Sequence, residues 1–72
     1  MLQPDQLSAV HQTLVRRWVN DLAHLTGWHI SMIYQDLFAD FNYHTFSDAR
    51  DSDWQRIADW FQARLETARK RR

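Results

Sequence analysis

Apolar residues recur at three- and four-residue intervals in three stretches of this 72-residue chain, with polar residues filling the positions between them. Leu7, Val10, Leu14, Trp18, Leu22 and Leu25 make the first stripe, and Val15 and Val19 widen it. That spacing predicts an amphipathic helix over about residues 5–26, with Gln12, Arg16, Asn20 and Ala23 on its polar face. Pro4 suits its first turn, and Gly27 suits the left-handed residue that follows a helix end. The second stripe, Ile30, Ile33, Tyr34, Leu37, Phe38 and Phe41, predicts a helix over about 30–41 with Met32, Gln35, Asp36 and Ala39 facing away. Residues 42–51 read as a loop whose Tyr43 and Phe46 tuck against the core. Ser52-Asp53-Trp54-Gln55 has the form of a capping box, and Trp54, Ile57, Ala58, Phe61, Leu65 and Ala68 then mark a helix over about 53–69. A basic tail, 69–72, closes the chain.

The expected fold is all-α: a small three-helix bundle, one domain over 1–72, with an ordered aromatic loop before the last helix. One Gly and one Pro in the whole chain favour helices over strands. With no cysteine, neither a disulfide nor a zinc finger can staple so short a chain, so its stability must come from packed aromatics. No apolar run approaches the ~20 residues that span a bilayer, and no basic segment followed by an apolar one opens the chain. A cytoplasmic protein with no membrane partner is expected.

Nine Lys+Arg balance nine Asp+Glu, but the balance hides a split. Residues 1–49 carry a net charge of −3 and residues 50–72 a net of +3. Attraction to phosphate would therefore be local to the C-terminal third. The plainer explanation is that basic side chains favour a helix C-terminus through its dipole.

No constellation for catalysis is present. There is no cysteine nucleophile, no glycine-rich phosphate loop and no serine in a nucleophile elbow. His11, His24, His29 and His44 have no metal-ligand spacing. The acidic run from Asp48 to Asp53 lacks the glycine and terminal glutamate of a calcium loop. No enzyme activity, cofactor, metal or small-molecule substrate is expected.

Two candidate binding surfaces remain. From Leu22 to Phe38, Ala23, Gly27, Ile33 and Leu37 fall where a helix-turn-helix places its small residue, turn glycine and packing residues, so helices one and two should pack in that manner. Trp28, His29, Ser31, Met32 and Gln35 are then secondary candidates for contact. The helix holds no Arg or Lys, however, and Asp36 and Asp40 would repel phosphate. The stronger candidate is the last helix. Trp60 stands off its apolar stripe with Arg56 and Arg64 four residues to either side, and Arg69, Lys70, Arg71 and Arg72 follow. An exposed Trp between arginines can stack on a base or anchor a protein interface. Equally, the Arg stems can pack over a Trp at the rim of the core.

From Val15 onward the order of features resembles the C-terminal domain of phage antirepressor-type regulators. The matching residues are Thr26-Gly27, Ile33-Tyr34, Leu37, Phe41, Tyr43, Phe46 and the helix from Ser52 to Leu65; the family usually carries Gly-Val where this chain has Asn42-Tyr43. The resemblance implies a phage- or bacterial-type regulatory module, accessory to a larger regulator and without catalytic residues. The expected function is thus non-enzymatic binding, with nucleic acid contacted through the basic C-terminal helix and tail. The alternative is a protein–protein interaction or oligomerisation domain, including an inhibitor of a larger enzyme, that uses exposed Trp residues.

Overall fold

In a computed structural model, residues 6–70 are described. They form three helices: α1 over Ala9–Thr26, α2 over Ile30–Phe41 and α3 over Trp54–Lys70. The loop between α2 and α3 contains two short 3-10 turns, Phe46–Asp48 and Asp51–Asp53. The described residues hold no strand, only an isolated bridge between Gln6 and Arg50.

The ends of α1 and α2 have local causes. The Ser8 hydroxyl accepts from the His11 amide at 3.3 Å and starts α1 four residues later than the apolar pattern predicts. Gln6, Leu7 and Ser8 thus precede the helix as an approach segment, and Leu7 enters the core from there. Pro4 lies outside the described residues. Gly27 stops α1 as expected, at φ 76°, its amide donating to Ala23 O at 2.8 Å. The His29 ring nitrogen accepts from the Ser31 amide and caps α2. Asn42 ends α2 in the left-handed region at φ 60°, a conformation Asn tolerates better than most residues other than Gly. The expected capping box at Ser52 is displaced: Ser52 sits inside the second 3-10 turn, and α3 begins at Trp54.

The core comprises Leu7, Val15, Val19, Leu22, Ile33, Leu37, Ala49, Ile57, Phe61, Leu65 and Ala68. On α1 the buried line is Val15, Val19 and Leu22, rotated from the expected one, with Leu14, Trp18 and Leu25 on its flanks. Val10 lies in the solvent at 69% exposure, while its neighbour His11 faces Trp54 and Asp51. Ile30, at the first turn of α2, is also exposed. The α3 stripe and the tucked Tyr43 and Phe46 stand where the pattern predicts.

Aromatic contacts set the helix directions. His11 stacks on Trp54 at 3.9 Å, and Trp18 meets both Trp54 (5.5 Å) and Phe61 (5.4 Å). The starts of α1 and α3 therefore lie side by side and the two helices run the same way, while α2 returns against them. Asp51 locks this end. Its Oδ1 accepts from the Ser8 amide and lies 3.0 Å from His11 Nδ1, and these hydrogen bonds, His11 first, hold its carboxyl below the usual range.

Candidate interaction surface

Antiparallel α2 and α3 bring two acids on one helix against Arg64 and Trp60 on the other. Asp36 and Asp40 stand one turn apart on α2, and Trp60 and Arg64 one turn apart on α3. The Arg64 guanidinium lies 3.2 Å from Asp36 Oδ2 and 3.1 Å from Asp40 Oδ2. It also covers the Trp60 ring, 3.7 Å from its centroid. The indole Nε1–H donates to Asp40 Oδ2 at 2.6 Å, and the ring stands edge-on to Phe61 at 4.9 Å. Trp60 is a rim residue of the core, half-buried, with its polar atom satisfied and one face roofed by Arg64.

The other predicted contact residues are distributed as follows. Arg56 extends into solvent with its side chain 76% exposed, 4.0 Å from Asp53 and 5.7 Å from the Phe41 ring centroid. Arg69 and Lys70 are exposed on the last turn of α3, and Lys70 pairs with Glu66 at 3.2 Å. Arg71 and Arg72 lie outside the described residues. On α2, His29 and Ser31 serve each other, the His29 ring nitrogen lying 2.8 Å from the Ser31 hydroxyl. Met32 and Gln35 are exposed, whereas Asp36, expected to face away, is turned toward α3.

A groove of about 350 Å³ opens beside the Asp36–Arg64 pair. Buried Leu22, Ile33 and Ala68 form its floor, Trp60 and Arg64 one wall, and Trp28 the mouth. Trp28 follows Gly27 in the α1–α2 corner, where Thr26 fixes the chain: its hydroxyl donates to Leu22 O at 2.7 Å and accepts from the Trp28 amide at 3.1 Å. Trp28 is 51% exposed, Ile30 41% and Met32 55%. Of these three, Trp28 lines the groove, whereas Ile30 and Met32 stand two apart on α2 and meet solvent on different sides of it.

The sequence pattern singled out Trp28 and Met32 but missed the groove itself. Thr26, Ala63 and Thr67 line it without any chemical signature, and only the antiparallel course of α2 and α3 brings them together. A signal for the bridging network did exist, in the match between the Asp36/Asp40 and Trp60/Arg64 spacings. Among the described residues no cluster of His, Asp or Glu could hold a metal ion, and no helix is long and apolar enough to cross a membrane. Comparison with protein-family models, curated proteins and solved structures finds no match to this chain.

Proposed function

We propose that the chain is a non-enzymatic protein-interaction module that engages its partner through the α1–α2 corner and the adjoining groove. The observation that carries this is the exposure of Trp28, at 51%, in the lining of a groove with an apolar floor. Trp and Met are favoured interface residues, and a ring at the mouth of a groove is the usual form of an anchor. The Arg64–Trp60 pair argues in the same direction. A base cannot stack on the ring face that Arg64 occupies without displacing it, and Arg64's charge is already balanced by Asp36 and Asp40.

A photo-crosslinking residue placed at position 28, compared with one at position 10, tests the proposal in extracts of the source cells. Val10 is more exposed than Trp28 but solitary, at the far end of α1. A defined protein adduct from position 28 and none from position 10 is the expected result. Equal labelling from both positions, or none from 28, refutes it. Self-association appears in the same experiment as a crosslinked dimer.

Nucleic acid is the second candidate partner, favoured by the exposure of the Arg56 side chain and by the positive charge of Arg69 and Lys70 on the last turn of α3. Such binding would be carried by phosphate contacts and would weaken steeply with salt. Either partner is compatible with the accessory role in a phage- or bacterial-type regulator that the resemblance in the sequence implies.

A further inference from the structure

On the other flank of α2 a second hollow, a basin of about 500 Å³, opens between α1, α2 and the loop. Its floor is aromatic: the Tyr34 ring lies 5.9 Å from Phe38 and 6.2 Å from Phe46, centroid to centroid. Its rim is rich in donors, with Arg16 from α1, Ser31 from α2, and His44 and Thr45 from the loop. No carboxylate lines it. Arg16 forms no ion pair among the described residues, unlike Arg56, Arg64 and Lys70. Its charge reaches the basin, because it opposes the rise in the Tyr34 pKa that burial causes. The nearest loop acid, Asp48, is turned to the backbone, its Oδ2 accepting from the amides of His44 (2.7 Å) and Thr45 (3.2 Å).

An unpaired guanidinium and an imidazole around an aromatic floor, with no acid in the lining, is chemistry that suits a planar ring bearing an anion. We propose that this basin binds a small aryl phosphate, its ring on Tyr34, Phe38 and Phe46 and its phosphate at Arg16. The guanidinium fork matches phosphate oxygens in pairs, while the Ser31 and Thr45 hydroxyls are held by His29 at 2.8 Å and Ser47 at 2.6 Å. Ring contact supplies the affinity that one ion pair in water lacks. This site is separate from the Trp28 groove and stands or falls independently of it.

The test is a titration of the isotope-labelled chain with phenyl phosphate, followed by backbone amide shifts, with inorganic phosphate and benzyl alcohol as separate arms. Saturable shifts at Arg16, Ser31, Tyr34, Thr45 and Phe46, with tighter binding than either control ligand, are expected. Arg16→Gln should weaken binding about tenfold or more, as loss of a charge-assisted contact does, while Arg17→Gln leaves it unchanged. Arg16 is exposed, so an unaltered thermal melt should show that the variant folds. Absence of saturation, shifts centred elsewhere, or an Arg16→Gln affinity equal to wild type would overturn the proposal, as would inorganic phosphate binding equally well. A phosphotyrosine peptide distinguishes the source: tighter binding than phenyl phosphate assigns the ligand to a protein side chain, and weaker binding to a free small molecule.

Discussion

Removing Arg64 tests whether the positive centre of α3 belongs to the fold or to a partner. In the structure its guanidinium makes three kinds of contact, all partly exposed: it covers the Trp60 ring and pairs with Asp36 and Asp40, with the three charged side chains 34%, 45% and 48% accessible. A cation–π contact at such a site is worth ~0.5–1 kcal/mol. Each ion pair, discounted for exposure, adds ~0.2–1 kcal/mol. Arg64→Ala also leaves Asp36 and Asp40 facing each other one turn apart, a like-charge pair that costs a few tenths of a kcal/mol more. The expected loss is about 1–3 kcal/mol, which for a chain of this length lowers Tm by roughly 6–18 °C. Thermal melts by circular dichroism at low salt measure it. At ~1 M salt, where the Debye length is ~3 Å, the difference between variant and wild type should shrink. A double-mutant cycle with Asp40→Asn should show a coupling of about 0.5 kcal/mol or more, since the two side chains touch. A loss below ~0.3 kcal/mol, within the range of inert surface substitutions, would refute the reasoning and return Arg64 to the pool of free cations.

Three further outcomes follow from local geometry. Gly27→Ala should destabilise by ~1 kcal/mol, measured by urea unfolding; no atom lies within 4 Å of the added methyl, so the whole cost is the left-handed backbone at φ 76°. Tyr43→Phe should cost about 1 kcal/mol through the lost hydrogen bond from its hydroxyl to Asp53 Oδ2 at 2.7 Å. In the wild type, burial and that bond push the Tyr43 phenol above its usual range, so alkaline absorbance titration should show it still protonated where a free tyrosine ionises. Asp51 has a folded-state pKa depressed below the usual 3.8 by His11 and the Ser8 amide, so it stabilises the fold above that pH, and the contribution disappears as pH falls through the lowered value. Asp51→Asn should therefore flatten the acid limb of the stability curve, and an unchanged limb would show that the bond to His11 carries no weight.

How far the structure could be read from the sequence depended on whether the information was periodic or relational. Helix identity, the α3 stripe and the Gly27 stop follow from spacing and from one glycine's conformational freedom, and both are properties of local sequence. The start of α1 does not: the apolar period runs on through Leu7, but the Ser8 cap begins the helix one turn later and leaves Leu7 to pack from an extended approach. Periodicity also located the α1 stripe without fixing its rotation. Trp18 stands on the flank, where it stacks on Trp54 and meets Phe61 at a tilt, partners 36 and 43 residues away. The candidate site was the least legible part. Arg56, Trp60 and Arg64 look alike on a helical wheel, yet Arg64 is bound to two acids from α2 while Arg56 reaches solvent, and only the α2–α3 packing separates them. Trp28 was legible because it follows a helix stop, where the chain leaves the core.

The central claim is that partners meet the Trp28 corner and that the Trp60 ring is a structural element. Equilibrium binding of fluorescent single-stranded and duplex DNA to wild type and Trp60→Phe, over a range of salt, tests it most directly. The expected result is weak binding at low salt only, equal for the two proteins and lost as salt is raised, because any contact is by phosphate alone. Tight binding to single strands that Trp60→Phe abolishes in a folded protein would show that the ring is a stacking platform, and would contradict the claim.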